Sequence, residues 1–596
     1  MDLHSSYALL RVTPPDVHTL TFAAPQPAAL RAWLAELPKA NLGEVARRLY
    51  TALQELNRLR TPPANRLQLL ELLQPEVQYA CSQLQKHLRS QVAILDARRQ
   101  QIASLCQTLQ LQLARAAKLT AGELLAQPDS PARGPLAARA LRLGLQALYQ
   151  ALGQFSLLHL APPRGFWLEL HQFYRSACSQ QLEQQPLANG PGTPQTIEQC
   201  YLASLLLGCA RTNQLRQQTI QLLVEALPTW SGRAQLQDAG QPDSLFAFAP
   251  GADSPPRHTC LLQDEPPAQL LGLAPQRLVA DLSGYLQLGQ GQRAHANLAL
   301  PPGIGDDLLQ HLCAAWSSPT ARAFKRSTGS GSLNACLGIP ALHYFVAGQR
   351  PFADCLQRPD AEVSVDFQRR QRERDAWSRA FDAGHDDGLL HRQRERIDFT
   401  RSAAAETAAD GAEYPRHQLQ VLDQSPGGYR LAWDDSPPNQ LQSGDLIGLQ
   451  HPGEPGWHIA LIRWIRQQRD SHLQLGVELL APRAQPCGLR PLPKAGQPGQ
   501  YLRGLLLEAI PALDRPPLLI APHLPFQQGQ KILLNLDGRE QRILLGRRFP
   551  LSDSFNQFEF RPLEETATAP ERKPLTGLQM IGGPEAEGFD SLWESL

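Results

Sequence analysis

The sequence is short of several things that would each have announced a function class. No apolar run is long enough to span a bilayer; the longest, Tyr201 to Ala210, falls far below a membrane helix. Neither sign of charge is in excess, with 57 Lys and Arg against 56 Asp and Glu and a net charge of +1. Bulk attraction to nucleic acid or to an anionic membrane is therefore excluded, and an anion site would need locally placed arginines. The ten cysteines form no CxxC pair and no Cys/His cluster with zinc spacing. They read as buried free thiols in a reducing compartment. Met1-Asp2-Leu3-His4 has neither the basic nor the apolar region of a signal peptide. These absences together predict a cytoplasmic protein.

Chemistry-bearing patterns are equally scarce. There is no GxSxG elbow and no Cys-His constellation. Ser330-Gly331 and the glycines at 289 and 291 are not followed by the Lys-Ser/Thr of a phosphate loop. His385-Asp386 is one HD dyad without the converging ligands that metal-assisted hydrolysis needs. The expectation is a protein that is not an enzyme and holds no metal or cofactor.

What is present divides the 596 residues into several domains, too many for one core. Residues 1–230 read as an all-α scaffold. Val45, Leu49, Leu53 and Leu56 share one face of a 3.6-residue period, and Asn41 with Glu44 reads as the cap that starts that helix. Pro62-Pro63 is expected to stop it. Beyond Pro75, Val77, Cys81, Leu84, Leu88 and Leu95 form another stripe, and helices are expected from Pro135 to Phe155 and through Trp167 and Leu206. Residues 231–312 read as a small β or mixed unit.

From residue 313 strand patterns take over. Ser332–Val346 reads as one long buried strand, followed by a polar insertion over 348–412. Strands are expected at Gln418–Leu422, Tyr429–Trp433, Asp445–Leu449, Ile459–Arg466 and Leu473–Leu479. In the last, Leu473, Leu475, Val477 and Leu479 alternate with Gln474, Gly476 and Glu478, a half-buried strand. Short strands joined by Gly, Pro and Asp turns predict an antiparallel barrel over 313–490. A second small β unit spans 491–565, with a hairpin at Asp537-Gly538. The tail, 566–596, ends in Phe589, Leu592, Trp593 and Leu596, spaced as one face of a short helix.

One loop carries functional information. Asp423-Gln424-Ser425-Pro426-Gly427-Gly428 fits DxSxxG, and Ser443-Gly444-Asp445, Trp457–Arg466 (WHIALIRWIR) and Leu473–Leu479 (LQLGVEL) follow in order. This stretch resembles the core of a PilZ domain, and the chain resembles a large multidomain bacterial member of that family. The resemblance implies a receptor for cyclic-di-GMP. Asp423 would accept the guanine N–H donors. Ser425 would bond a phosphate or ribose oxygen, and Gly428 would adopt positive φ and leave room for the ligand.

The family also carries an RxxxR pair before the first barrel strand, because a planar guanidinium can grip phosphate and stack on a purine. Arg322 and Arg326 stand directly before Ser332–Val346. Arg370 and Arg374 lie in a charged run, and Arg392 and Arg396 lie nearer Asp423, followed by loop-like AAAETAADGAE. The need for a strand after the arginines favours Arg322 and Arg326, with an insertion between the first two strands. The arginine-rich segment from Arg369 to Arg396 is nearly balanced by acids and reads as a solvated insertion, so no nucleic acid partner is expected.

The resulting expectation is a multidomain α+β protein: an all-α N-terminal scaffold, a split PilZ-like barrel and a second small β unit. Arg322, Arg326, Asp423, Ser425 and Gly428 would bind cyclic-di-GMP, and binding would change contacts with an unidentified protein partner. The alternative is a ligand-free scaffold whose barrel has become a structural module.

Overall fold

The computed structural model describes residues 13–563 except 89–96, 129, 188–194, 263–268, 290–291, 294–295, 297, 318–325, 358–413, 434–440, 468–472, 493–499, 509–515 and 550–553. The chain divides into two compact units. The first comprises Met1–Lys325, Ser436–Ser443 and Trp464–Leu475. The second comprises Arg326–Asp435, Gly444–Arg463 and Gly476–Leu596.

The first unit is mainly helical. Its helices are α1 (Pro27–Ala35), α2 (Leu42–Leu56), α3 (Pro63–Leu88), α4 (Ala97–Ala126), α5 (Arg133–Leu157), α6 (Phe166–Ser179), α7 (Ile197–Cys209), α8 (Gln217–Trp230), α9 (Gln276–Gln287) and α10 (Asp306–Ala315). The Asn41 side chain accepts a 3.1 Å hydrogen bond from the Glu44 N–H, so α2 starts where its cap predicts. Val45, Leu49, Leu53 and Leu56 are all buried in one apolar core with Leu70, Val77, Leu113 and Leu148. A Leu-to-Ala change in such a core costs about 2–5 kcal/mol.

Two expectations differ here. The helix of Leu42–Leu56 ends before Pro62-Pro63, and Pro63 instead opens α3. Proline suits a first helical position because its missing N–H has no intrahelical partner there. Pro75 lies inside α3 rather than before a new helix. It removes one backbone bond, but the buried stripe of Leu67, Leu70, Leu73, Val77, Ala80 and Leu84 continues through it, and burial outweighs that loss. Leu95 lies outside the described residues.

A four-stranded antiparallel sheet completes the first unit: β1 (Gln235–Asp238), β2 (Phe246–Phe248), β3 (Arg257–His258) and β4 (Leu271–Ala274), in the order β1-β4-β2-β3. Together with α9 and α10 it makes residues 231–312 mixed in character.

Two barrels follow, the second wholly and the first mostly within the second unit. The first uses β5 (Ser327–Thr328), β6 (Ser332–Leu337), β7 (His417–Ser425), β8 (Gly428–Trp433), β9 (Leu446–Gln450), β10 (His458–Gln467) and β11 (Leu473–Ala481), in the order β5-β7-β6-β9-β10-β11-β8. A further β7–β8 pairing closes six of them into a ring, with β5 added outside on β7. Leu419, Val421, Leu431, Trp433, Leu473, Leu475 and Val477 are buried, as strict alternation requires. Leu479 is only half-buried.

The long strand expected over Ser332–Val346 is corrected. It is β6 up to Leu337, and then α11 (Gly338–Val346). An unbroken apolar run fits a buried strand and a buried helix equally well, and here Gly338, at φ +77°, makes the break. α11 packs against β6, β9 and the second barrel, and a short helix, α12 (Phe352–Leu356), follows it.

The second barrel is closed and antiparallel: β12 (Ala484–Pro491), β13 (Leu502–Leu507), β14 (Leu518–Pro522), β15 (Lys531–Leu536), β16 (Arg539–Phe549) and β17 (Phe555–Pro562), in the order β12-β13-β14-β17-β16-β15. It takes in β12, whose residues up to 490 the sequence assigned to the preceding barrel. Asp537 and Gly538 both have positive φ, 47° and 85°, and join β15 to β16 as a tight hairpin. Leu489, Leu519, Ile532, Ile543 and Phe558 fill its interior.

Among the ten cysteines, all free, Cys178 and Cys260 are exposed and Cys313 is half-exposed, so the expectation of uniformly buried thiols holds for the other seven. No helix among the described residues is long and apolar enough to cross a membrane.

Candidate functional site

The DxSxxG segment lies mostly within strands rather than in a free loop. Asp423, Gln424 and Ser425 belong to β7, and Gly428 opens β8, so the turn itself is Pro426-Gly427. Ser425 pairs with Gly428, and the Ser425 hydroxyl donates to the Gly428 carbonyl at 3.2 Å.

A β-bulge sets the direction of Asp423. Val421 faces Leu431 and Asp423 faces Arg430, which leaves Leu422 as the extra residue. A bulge interrupts inward–outward alternation and re-aims the side chain that follows. Leu419 and Val421 point into the core, whereas Asp423, two residues on, presents a carboxylate that is 17% exposed.

Two arginines meet that carboxylate. Arg326 Nη1 donates to Asp423 Oδ1 at 2.6 Å. Arg430 Nε lies 2.8 Å from Oδ2, off the N–H direction, and so forms an ion pair rather than a directed hydrogen bond. Arg326 reaches the site because β5 follows it at once and pairs antiparallel with β7, setting Thr328 opposite Asp423. Both guanidinium groups are more than a third exposed, so their worth to stability is small. Their chemical capacity is larger: two positive forks and one carboxylate sit on one rim, able to hold a phosphate diester and a base edge together.

Gly428 has the positive φ expected of it, and the fold itself demands glycine there apart from any room for ligand. Its φ is +152°, and a Cβ there would lie 2.0 Å from the Val477 carbonyl oxygen and 3.1 Å from Glu478 Cα. The close neighbour is the backbone of β11. The Leu479 N–H donates to the Gly427 carbonyl at 3.0 Å, sealing the ring at this corner. On the adjoining strands Arg463 and Glu478 form a partly exposed ion pair.

The structure thus brings together Arg326, Asp423, Ser425 and Gly428. Arg322, Arg370, Arg374, Arg392 and Arg396 lie outside the described residues, as does the His385-Asp386 dyad. Sequence reasoning missed Arg430. The signal was available in the hairpin geometry: a two-residue turn at Pro426-Gly427 sets Tyr429 and Arg430 across from Gln424 and Asp423. Among the described residues no group of three or more His, Cys, Asp or Glu side chains is arranged to hold a metal ion.

Comparison with known proteins agrees with this architecture. Three family models match in succession: the N-terminal domain of the cyclic-di-GMP receptor FimW over residues 28–243, its middle PilZ domain over 245–486, and the FimW C-terminal β-barrel domain over 487–563. The chain is 43% identical to the cyclic-di-GMP receptor FimW of Pseudomonas aeruginosa in an alignment of 615 residues that covers all of both chains. No solved structure matches it. With its helical N-terminal region, its middle barrel carrying DxSxxG and its closed C-terminal barrel, the chain belongs to the FimW family of PilZ-domain proteins.

Proposed function

We propose that this chain is a cytoplasmic, non-enzymatic receptor that binds cyclic-di-GMP at the Asp423 corner of the middle barrel and answers by changing its contacts with a partner protein. The observation that carries the reading is the Arg326–Asp423 hydrogen bond of 2.6 Å, which joins an arginine preceding the barrel to the first residue of DxSxxG. The full-length likeness to a protein named as a cyclic-di-GMP receptor supports the choice of ligand.

The Asp423 carboxylate is paired with Arg326 and Arg430. A guanine edge can take over the carboxylate through its own N–H donors. That releases both guanidinium groups, which then face the phosphates or stack on the purine. The exchange keeps every charge paired, so binding replaces ion pairs instead of stranding them. Arg322 is proposed as the second member of the RxxxR pair. Ser425 is proposed to turn its hydroxyl from the Gly428 carbonyl to a ligand oxygen. Rearrangement of the arginine segment ahead of β5 is the proposed output, because a segment that changes partners on binding can present a new surface.

Calorimetric titration of the full chain with cyclic-di-GMP, with GTP as control, tests the reading. Saturable heat with the cyclic dinucleotide and none with GTP is expected. No heat with either would leave the middle barrel a structural module.

A further inference from the structure

The helical unit carries a second place suited to a ligand, far in character from the barrel corner. A cavity of about 500 Å³ opens between α3, α5 and α7, with Gln74 and Gln78 on one wall and Arg142 and Gln146 on another. That volume is in the range of small-molecule pockets, roughly 300–1,000 Å³. Pro75 stands in the same wall, and its missing N–H leaves the Glu71 carbonyl without its usual helical donor there.

The charge balance of the cavity is uneven. Arg142 Nε and Nη1 are buried and have no hydrogen-bond partner among the described residues. The acid in the wall, Glu71, is taken by another residue: Arg139 Nε donates to it at 2.8 Å, and Arg139 Nη2 makes a second, shorter bond. Cys200, also in the wall, does not supply the counter-charge, since burial pushes its thiol up to about 12 and keeps it neutral. The Tyr149 hydroxyl is committed to the Val224 carbonyl at 2.6 Å. Arg139 thus takes the one carboxylate in the wall, and the Arg142 charge is left over beside a polar cavity. A half-buried guanidinium with two buried, unpartnered nitrogens is costly, and burial is the main cause that lowers its pKa. The remaining wall is amide-rich. Gln74 Nε2 donates to Gln146 Oε1 at 3.1 Å, and side-chain amides can both donate to and accept from a polar ligand.

We propose that this cavity binds a small organic anion, with its carboxylate or phosphate group against Arg142 and its polar body against the glutamine amides. An anion there completes the unpaired guanidinium, and the amides fix its orientation. The site is separate from the barrel corner and takes a different class of ligand.

Equilibrium dialysis of the full chain against radiolabelled inorganic phosphate, and in a second arm against radiolabelled succinate, tests this. Saturable uptake of one anion per chain is expected in at least one arm. Uptake of phosphate alone assigns a phosphate-bearing ligand, and uptake of succinate alone a carboxylate. Arg142→Gln should weaken uptake tenfold or more, while Arg326→Ala should leave it unchanged, which separates this site from the barrel arginines. If circular dichroism shows Arg142→Gln unfolded, Gln146→Leu decides, and it should weaken uptake. No saturable uptake in either arm overturns the proposal. So does unchanged uptake in a folded Arg142→Gln or Gln146→Leu chain.

Discussion

Arg326 and Asp423, 97 residues apart in sequence, meet through a 2.6 Å hydrogen bond. The first prediction concerns the carboxylate. Asp423→Ala should weaken cyclic-di-GMP binding by about 1.5–3 kcal/mol, tenfold or more, because a charge-assisted bond to the base is lost. Thermal stability should change little, since both partner arginines are more than a third exposed. Calorimetry and a melting curve on the same sample check both halves. Unchanged affinity in a folded variant would place the ligand elsewhere.

The second prediction separates the arginine pairs. Arg322→Ala with Arg326→Ala should weaken binding strongly, whereas Arg392→Ala with Arg396→Ala should not. Arg326 has a strand directly after it, paired to β7 at Asp423. If the second double variant is the damaged one, the arginine arm of the barrel has been misplaced.

Gly428→Ala should act on folding. Its new Cβ would meet the Val477 carbonyl 2.0 Å away, backbone against backbone, and no rotamer relieves that. A loss of roughly 1–3 kcal/mol is expected, as for other overpacked sites. Urea denaturation measures it, and an unchanged midpoint would mean that the β8–β11 corner is looser than described.

A fourth prediction is a pH dependence. His343 on α11 lies edge-on to Phe352 with ring centroids 5.0 Å apart, and burial, aided by Arg503, depresses its pKa to about 3. Burial likewise depresses His159 to about 4. An unfolded histidine takes up a proton below about pH 6.5, while the folded His343 stays neutral. Stability is therefore full above that pH and falls as pH drops toward the folded pKa, by on the order of 2 kcal/mol per group near pH 5. His343→Leu should remove its share of the fall when urea midpoints near neutral and near pH 5 are compared. An equal fall in variant and parent would contradict the assignment.

Much of this arrangement was legible in the sequence where one signal dominated. The alternation of Leu473, Leu475 and Val477, the Asn41 cap and the Asp537-Gly538 turn each have one good structural reading, and each appears as read. Ser332–Val346 failed because an apolar run without polar punctuation has no period, and tertiary packing decided between strand and helix. The site was legible to the extent that DxSxxG is local. Arg430 could be placed from the hairpin, since pairing Ser425 with Gly428 sets Arg430 opposite Asp423; the bulge at Leu422, which turns the Asp423 side chain out of the core-facing alternation, could not, because a bulge has no compositional mark. The positive φ expected of Gly428 is present, but its neighbour, the Val477 carbonyl, comes from a strand brought there only by barrel closure.

α11 has a practical consequence for dissecting the protein. Its Ile339, Leu342 and Phe345 share one core with Leu446 and Ile459 of the first barrel and with Leu505, Leu507, Ile520 and Phe555 of the second. Phe345 also stacks on Trp457 at 5.0 Å. A chain cut near residue 486, where the two family matches meet, would pass through β12 and leave each half with a raw apolar face. The two pieces should aggregate when made singly and recover when made together, so the pair of barrels, not either one, is the smallest portion of this unit to express.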